Sequence, residues 1–384
     1  MTITRTAADA VEELFTPDPD LAAHPAIRAA ARIADVLAPH AAAADDPAHG
    51  VDPAHLALLA EHGLHRVSLP VAEGGFGAGA RVDAEAVELV SGACAATWFV
   101  DTQHRSPLAL SRGPVTGLAP DAFAPGPAAA RHRPGLTAGT TRAGIAITHI
   151  RRPGPPVVRA DADGSGWRLS GTADWCTGWG LIDVVMIAAG TTDGRIVFAV
   201  VPAREQPGLR PGAPLPLAVM GGTRTVALEM DELAVGADDV IATVDARAWL
   251  ARDLAYTANA TPASLGLLRR VLVAMAELGT ARDRPEAVET ALAIAPRAAA
   301  LRAEAYALLA DVPVAERVPE RTALRAEITE LTVRAAHAAI AARSGSAMLT
   351  GSPEQRWARE AAFHLIQAQT AGVRAAQLEA FRRT

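Results

Sequence analysis

The chain has 384 residues, half of them hydrophobic and one fifth charged, which describes a globular protein of two or three domains rather than a disordered or fibrous one. All 36 basic residues are arginine, so lysine chemistry is excluded: Schiff-base and pyridoxal phosphate catalysis, and the phosphate loop of ATPases and GTPases. The formal net charge is −6 and the arginines are scattered, so no nucleic-acid partner is expected.

Cys94 and Cys176 lie far apart without a CxxC, so neither a disulfide framework nor a metal site is signalled. Residues 1–14 carry acids and no apolar h-region, and no charge-free apolar run of about 20 residues is present. A cytoplasmic protein with no membrane association is the expectation.

Helical periodicity covers residues 27–37, 53–62 and 83–96. Asp52 before Pro53 is a good helix start, a capping residue followed by proline at the first helical position. The period changes near residue 135. Residues 144–148, 157–160, 167–170, 184–189 and 196–201 read as short strands separated by Gly- and Pro-rich turns, and 225–230 and 234–236 continue the pattern. From 247 onward the chain reads helical again, over 247–257, 263–278, 285–309, 321–348 and 353–380, with a proline-marked turn at 311–319. The expected organisation is a helical domain (1–134), a β-domain (135–244) and a helical bundle (245–384).

Several segments within that order are distinctive. Leu58-Leu59-Ala60-Glu61-His62-Gly63-Leu64 leads through Leu69-Pro70 to Glu73-Gly74-Gly75-Phe76-Gly77. Gly171-Thr172-Ala173-Asp174-Trp175-Cys176-Thr177 is followed by Asp183-Val184-Val185. Pro207-Gly208-Leu209 precedes Met220-Gly221 and residues 223–228. Together, in this order and spacing, they resemble the entry motif, flavin motif and closing β-domain strands of the acyl-CoA dehydrogenase superfamily, over essentially the whole chain. There is no strand-linked GxGxxG, so the chain does not read as a Rossmann protein.

The resemblance implies an α+β multidomain fold: N-terminal helical domain, middle β-barrel or sandwich, C-terminal four-helix bundle. It implies FAD as cofactor, or FMN in the monooxygenase branch. Ile147, Thr148, Trp175 and Thr177 correspond to flavin-contacting positions, and Gly345 and Ser346 stand where the family's glycine-rich loop approaches the cofactor. An indole can pack on a flavin ring and a hydroxyl can bond its polar edge. From the residues alone, Trp175 and Trp179 read first as β-domain core; the motif context reverses that for Trp175. Cys176 reads as a small buried hydrophobe. The pair Arg151-Arg152 reads either as a site for a CoA phosphate or as a solvated turn.

The family's proton acceptor is a Glu after an R-x-x-R-D pair. Arg356-Trp357-Ala358-Arg359-Glu360 matches the pair, but Ala368 stands where that Glu falls. Two residues are the remaining catalytic candidates: Asp253, on the helix that opens the bundle, and His364, which resembles the histidine that monooxygenases of this superfamily carry near their C-terminus. Either also reads as an ordinary helix residue. His104 falls where relatives approach the substrate cavity; it also reads as a satisfied helix-end histidine.

The implied function is an FAD-dependent oxidoreductase, first an α,β-dehydrogenase of an acyl thioester or related small substrate. The alternative is a monooxygenase using reduced flavin and dioxygen, and the third reading is an inactive flavin-binding or partner subunit. Implied partners are a small-molecule substrate, free or bound to CoA or a carrier protein, an electron-transfer flavoprotein or flavin reductase, and further copies in a homodimer or homotetramer.

Overall fold

The structure, a computed structural model, describes residues 5–383. The chain divides into a helical unit and a unit built on a sheet.

The helical unit comprises the chain up to Asp45, Val67–Ala95 and everything from Thr257 onward. Its central helix, Pro262–Ala281, starts at Thr261, whose side chain accepts from the Ser264 N–H, with proline in the first turn. Leu265, Leu268, Leu272 and Met275 line its inward face at helical spacing. They share one core with Ala291, Ala295, Ala298 and Leu301 of helix Pro285–Asp311 and with Leu324, Ile328 and Ala335 of helix Val318–Arg343. Small residues at the contacts let the helices approach closely. Against helix Ala80–Ala93 the approach is close: a Cβ on Gly92 would stand 2.7 Å from the Gly266 carbonyl oxygen.

Two long helical runs stop sooner than their periodicity predicts. Residues 321–348 resolve into helix Val318–Arg343 and a 3-10 turn, Ser344–Met348. Residues 353–380 form two helices, Pro353–Ile366 and Ala371–Ala380. The second break has a tertiary cause. Arg325 Nη2 donates to the Gln367 carbonyl at 2.5 Å, and Ala368 takes a left-handed φ of 45°. Thr370 then caps the next helix by accepting from the Val373 N–H.

The sheet unit comprises Asp46–Arg66 and Ala96–Tyr256. Its strands among the described residues are β1 (Phe123–Pro125), β2 (Ala143–Ala146), β3 (Val158–Asp163), β4 (Gly166–Cys176), β5 (Val184–Gly190), β6 (Arg195–Pro202), β7 (Leu209–Pro211), β8 (Val226–Val235) and β9 (Val240–Asp245). They run in the order β1-β9-β6-β5-β3-β4-β8-β7, with β2 added parallel to β5. The runs 225–230 and 234–236 are one strand, β8, and β1, β7 and β9 are strands that periodicity did not reveal.

Strand β5, Val-Val-Met-Ile-Ala-Ala-Gly, is apolar throughout because both of its faces are covered. Val185, Ile187 and Ala189 pack with Leu169, Val197 and Leu228 on one side. Met186 and Ala188 pack with Leu136, Phe198 and Trp249 on the other. That second face is covered by helices Arg105–Leu110, Pro127–Ala138 and Ala246–Thr257. No helix among the described residues is long and apolar enough to cross a membrane.

Candidate functional site

In the sheet unit, the pairing of β4 with β8 slips between Ala173 and Cys176, a bulge that resets which face each side chain takes. Ala173 and Cys176 stay buried while Trp175 turns outward, 48% exposed. A large indole left open near the end of the strand is a flat apolar platform. Beside it, Asp174 pairs with Arg152 and so holds the 3-10 turn Thr148–Arg151 against β4. Thr148 is exposed and Ile147 half-buried.

The next turn of chain is sewn to the loop between β7 and β8. Gly178 N–H donates to the Thr223 carbonyl at 2.9 Å and Trp179 N–H to the Arg224 carbonyl at 3.1 Å. That loop is strained, with Met220 and Arg224 both left-handed at φ 54° and 51°. Three buried hydroxyls lie between the two segments. Thr223 Oγ1 donates to the Met220 carbonyl at 2.8 Å, so its only hydrogen is spent. Thr225 must then donate to Thr223, and Thr177 to Thr225, each at 3.0 Å. The hydroxyl hydrogen of Thr177 is thus committed inward, and the oxygen can only accept from anything beyond the chain.

Asp253 lies on helix Ala246–Thr257 and is buried. Arg151 grips both of its oxygens, Nε to Oδ2 at 2.6 Å and Nη2 to Oδ1 at 2.9 Å. The clamp fixes that helix to the turn Thr148–Arg151 and fills the carboxylate with a bidentate partner. Both arginines of the 151–152 pair are therefore engaged by acids. Burial pushes the Cys176 thiol up to about 12, so it is a core hydrophobe rather than a nucleophile.

His149, one residue beyond Thr148, donates from Nε2 to the Ala188 carbonyl at 2.7 Å, while its buried Nδ1 has no hydrogen-bond partner. Burial holds its imidazole below the ordinary range.

A second cluster in the same unit joins residues far apart in sequence. His65 donates from Nε2 to Asp101 Oδ1 at 2.7 Å, both side chains being buried. His104 stacks on His65 with ring centroids 4.3 Å apart. Both nitrogens of His104 are used: Nδ1 accepts from the Ala143 N–H at 3.2 Å and Nε2 donates to the Leu136 carbonyl at 2.8 Å. Burial chiefly, with His65 adding, lowers it to about 4, so His104 is a neutral structural histidine. Burial alone would raise the Asp101 carboxyl, but the His65 contact prevails and holds it below its ordinary value. A small pocket opens here, lined by Leu56, His65, Asp101, His104, Arg142 and Ile182 among others.

The remaining candidates belong to the helical unit. His364 is buried on helix Pro353–Ile366 with Nδ1 3.2 Å from Gln367 Oε1, and burial lowers it to about 4. Gly345 is exposed with open space where a side chain would stand, Ser346 is half-buried, and Ser344 holds φ 66° and ψ −155°. Among the described residues, no cluster of His, Cys, Asp and Glu could hold a metal ion.

No family profile and no curated protein matches the chain. Solved structures do. A glutaryl-CoA dehydrogenase from Mycobacterium smegmatis, in complex with FADH2, superposes with a TM-score of 0.76 at 16% identity, covering 99% of each chain. Butyryl-CoA dehydrogenase from Megasphaera elsdenii gives 0.71 at 16% identity, over 96% of this chain and 100% of that one. The chain has the acyl-CoA dehydrogenase fold. Dibenzothiophene monooxygenase from Paenibacillus sp. A11-2 shares it, with a TM-score of 0.73 at 18% identity over 93% of this chain and 97% of its own; that enzyme is also solved with FMN and indole.

On this fold the residues suggested by sequence separate into two groups. Ile147, Thr148, Trp175 and Thr177 are brought together at one end of β4, with Asp253 tied to them through Arg151. Gly345, Ser346 and His364 lie in the helical unit. Sequence reasoning missed His65 and Asp101. They are 36 positions apart and meet only in the folded chain, so no local signal marked them. It also passed over Glu360 as half of a matching pair. That carboxyl is buried, and burial raises it to about 7 despite Arg356 beside it at 3.2 Å.

Proposed function

We propose that this chain is a flavin-dependent oxidoreductase that binds reduced flavin and uses dioxygen to oxygenate a small organic substrate. The observation that carries this reading is the polarity of the threonine chain. Thr177, which the resemblance places against the flavin, can accept a hydrogen bond but has none to give. A reduced flavin ring carries an N–H at N5 that an oxidised ring lacks, so an acceptor at this position suits the reduced form.

The residues fit such a group. The exposed Trp175 indole offers the ring a surface to cover, and Thr148 and the 3-10 turn behind it offer hydroxyl and backbone partners at its edge. When bound, reduced flavin supplies the electrons that dioxygen needs. The protein's own contribution is to hold the ring between fixed partners and to manage a proton. The carboxylate required for α,β-dehydrogenation is missing at Ala368, and the alternative acid, Asp253, is occupied by Arg151. The expected partner is a flavin reductase, and the solved relative with FMN and indole supports FMN as the first flavin to try.

Dehydrogenation of an acyl thioester remains the second reading, because one observation favours it. Glu360 is a buried carboxyl raised to about 7, the property a general base requires.

The deciding experiment measures anaerobic binding of oxidised and dithionite-reduced FMN and FAD, then assays each reaction. The proposal expects reduced flavin to bind at least tenfold tighter, and product from indole only with flavin reductase, NADH and oxygen. Tightly bound oxidised FAD bleached by butyryl-CoA, with bleaching lost in Glu360→Gln, establishes the dehydrogenase instead. Failure to bind either redox state at tens of micromolar rejects both.

A further inference from the structure

The proposed chemistry leaves a proton to be taken from the substrate, and the candidates suggested by sequence do not suit the task. Asp253 is clamped by Arg151, and His104 is locked by two backbone partners. His364 is lowered to about 4, which makes it a weak base at neutral pH. The pocket in the sheet unit offers a different group. We propose that His65, oriented by Asp101, is a catalytic proton acceptor that reaches the substrate through one water held in that pocket; this rests on the reading of the chain as a flavin-dependent oxidoreductase.

The Asp101 carboxylate takes the Nε2 hydrogen of His65 at 2.7 Å, which fixes the tautomer and leaves the basic lone pair on Nδ1. Nδ1 is buried and has no hydrogen-bond partner. An acceptor in that condition costs about 1–3 kcal/mol, a cost a bound water relieves. The Gly139 backbone lies beside that nitrogen. At Gly139 a Cβ would stand 2.8 Å from Nδ1, and only the absent side chain prevents the collision. The same glycine closes helix Pro127–Ala138 at φ 71°, so its conformation and its lack of a side chain are both in use.

The pocket has room for about one water. Its walls are Leu56, Val100, Ala143 and Ile182, and Arg142 also lines it. It adjoins the segment that follows Thr177: a Cβ on Gly178 would lie 3.2 Å from Val100 Cγ1 and 3.1 Å from Ile182 Cγ2. The dyad thus lies beside the turn that begins where Trp175 and Thr177 end.

In the step itself the substrate's X–H bond breaks and its electron pair stays on X. The pocket water accepts that proton while giving one of its own to His65 Nδ1. The imidazolium so formed is stabilised by the Asp101 carboxylate, and no electron leaves the substrate in this step. Asp101 is a positioning residue, since it acts only through His65.

The test compares the full chain with His65→Gln and Asp101→Asn. The first readout needs no flavin: histidine-selective 15N NMR in water. His65 should be the Nε2–H tautomer with a water contact at Nδ1, and Asp101→Asn should convert part of it to the other tautomer. The second readout is turnover with reduced FMN, dioxygen and indole. His65→Gln should lower kcat at least tenfold with FMN affinity unchanged, and Asp101→Asn should move the acid limb of the kcat profile. An Nδ1–H tautomer, or no water contact, overturns the proposal even if a variant fails to fold. Turnover within twofold of wild type in His65→Gln also overturns it. Failure to bind flavin would count against the proposed function alone, because the NMR readout still decides the state of His65.

Discussion

Three buried titratable side chains each tie stability to pH. Burial lowers His104 and His364 each to about 4 and raises Glu360 to about 7. An imidazole lowered from 6.5 stabilises the fold above pH 6.5 and loses that contribution as pH falls toward 4, at most about 3 kcal/mol each. A carboxyl raised from 4.5 to about 7 acts in the opposite sense, stabilising below pH 4.5 and losing its effect as pH rises through 7. Denaturant midpoints recorded from pH 4 to 8 should show both slopes. His104→Gln should flatten the acid flank and Glu360→Gln the neutral one; an unchanged pH dependence in either would refute that residue's assignment. Ser344 allows a simpler check. Its φ of 66° and ψ of −155° lie in a region essentially reserved for glycine, so Ser344→Gly should raise stability by about 1 kcal/mol. A fall in the unfolding midpoint would mean that the Ser344 side chain does more than strain the backbone.

Helix–helix contacts in the helical unit rest on a charged network as well as on apolar packing. Glu88, on helix Ala80–Ala93, receives Tyr306 Oη at 2.5 Å and Arg302 Nε at 2.6 Å, both from helix Pro285–Asp311. Arg269 of the central helix reaches Glu88 at 3.3 Å and also pairs with Glu12 of helix Ala7–Phe15. Arg302 completes the group by pairing with Glu85. Removing one partner leaves an uncompensated buried charge, so Arg302→Ala should cost about 3–5 kcal/mol in urea unfolding. Arg302→Met combined with Glu88→Gln should cost less than the two changes summed, and strict additivity would argue against direct coupling. None of this was legible from periodicity, which sees only which residues repeat. The apolar face of Pro262–Ala281 was readable, because Leu265, Leu268, Leu272 and Met275 follow the helical period. The stop at 367–370 was not, because that stretch has no proline or glycine and is halted by a distant arginine, Arg325. The candidate site divides in the same way. Trp175 and Thr177 were marked by a contiguous motif, whereas His65 and Asp101 meet only through tertiary structure.

Across the whole molecule, the proposed flavin binding would be linked to folding. A flavin that binds only the folded chain stabilises it by about 2.7 kcal/mol when its concentration is 100 times Kd. At a few degrees per kcal/mol for a chain of this size, the thermal midpoint should rise measurably when the bound redox form is added. Trp175 separates that linkage from intrinsic stability. Its indole is half exposed, so Trp175→Ala should change the flavin-free midpoint by no more than about 0.5 kcal/mol, the usual range for a surface substitution. Loss of the ring's stacking surface should instead remove most of the flavin-induced rise, since aromatic stacking contributes beyond the area it covers. Thermal unfolding of both proteins, with and without reduced FMN under argon, tests this directly. An equal rise in both would take Trp175 out of the flavin site. A lowered flavin-free midpoint with the rise intact would make the indole part of the packing of β4, and the open platform at the strand's end would then need another occupant.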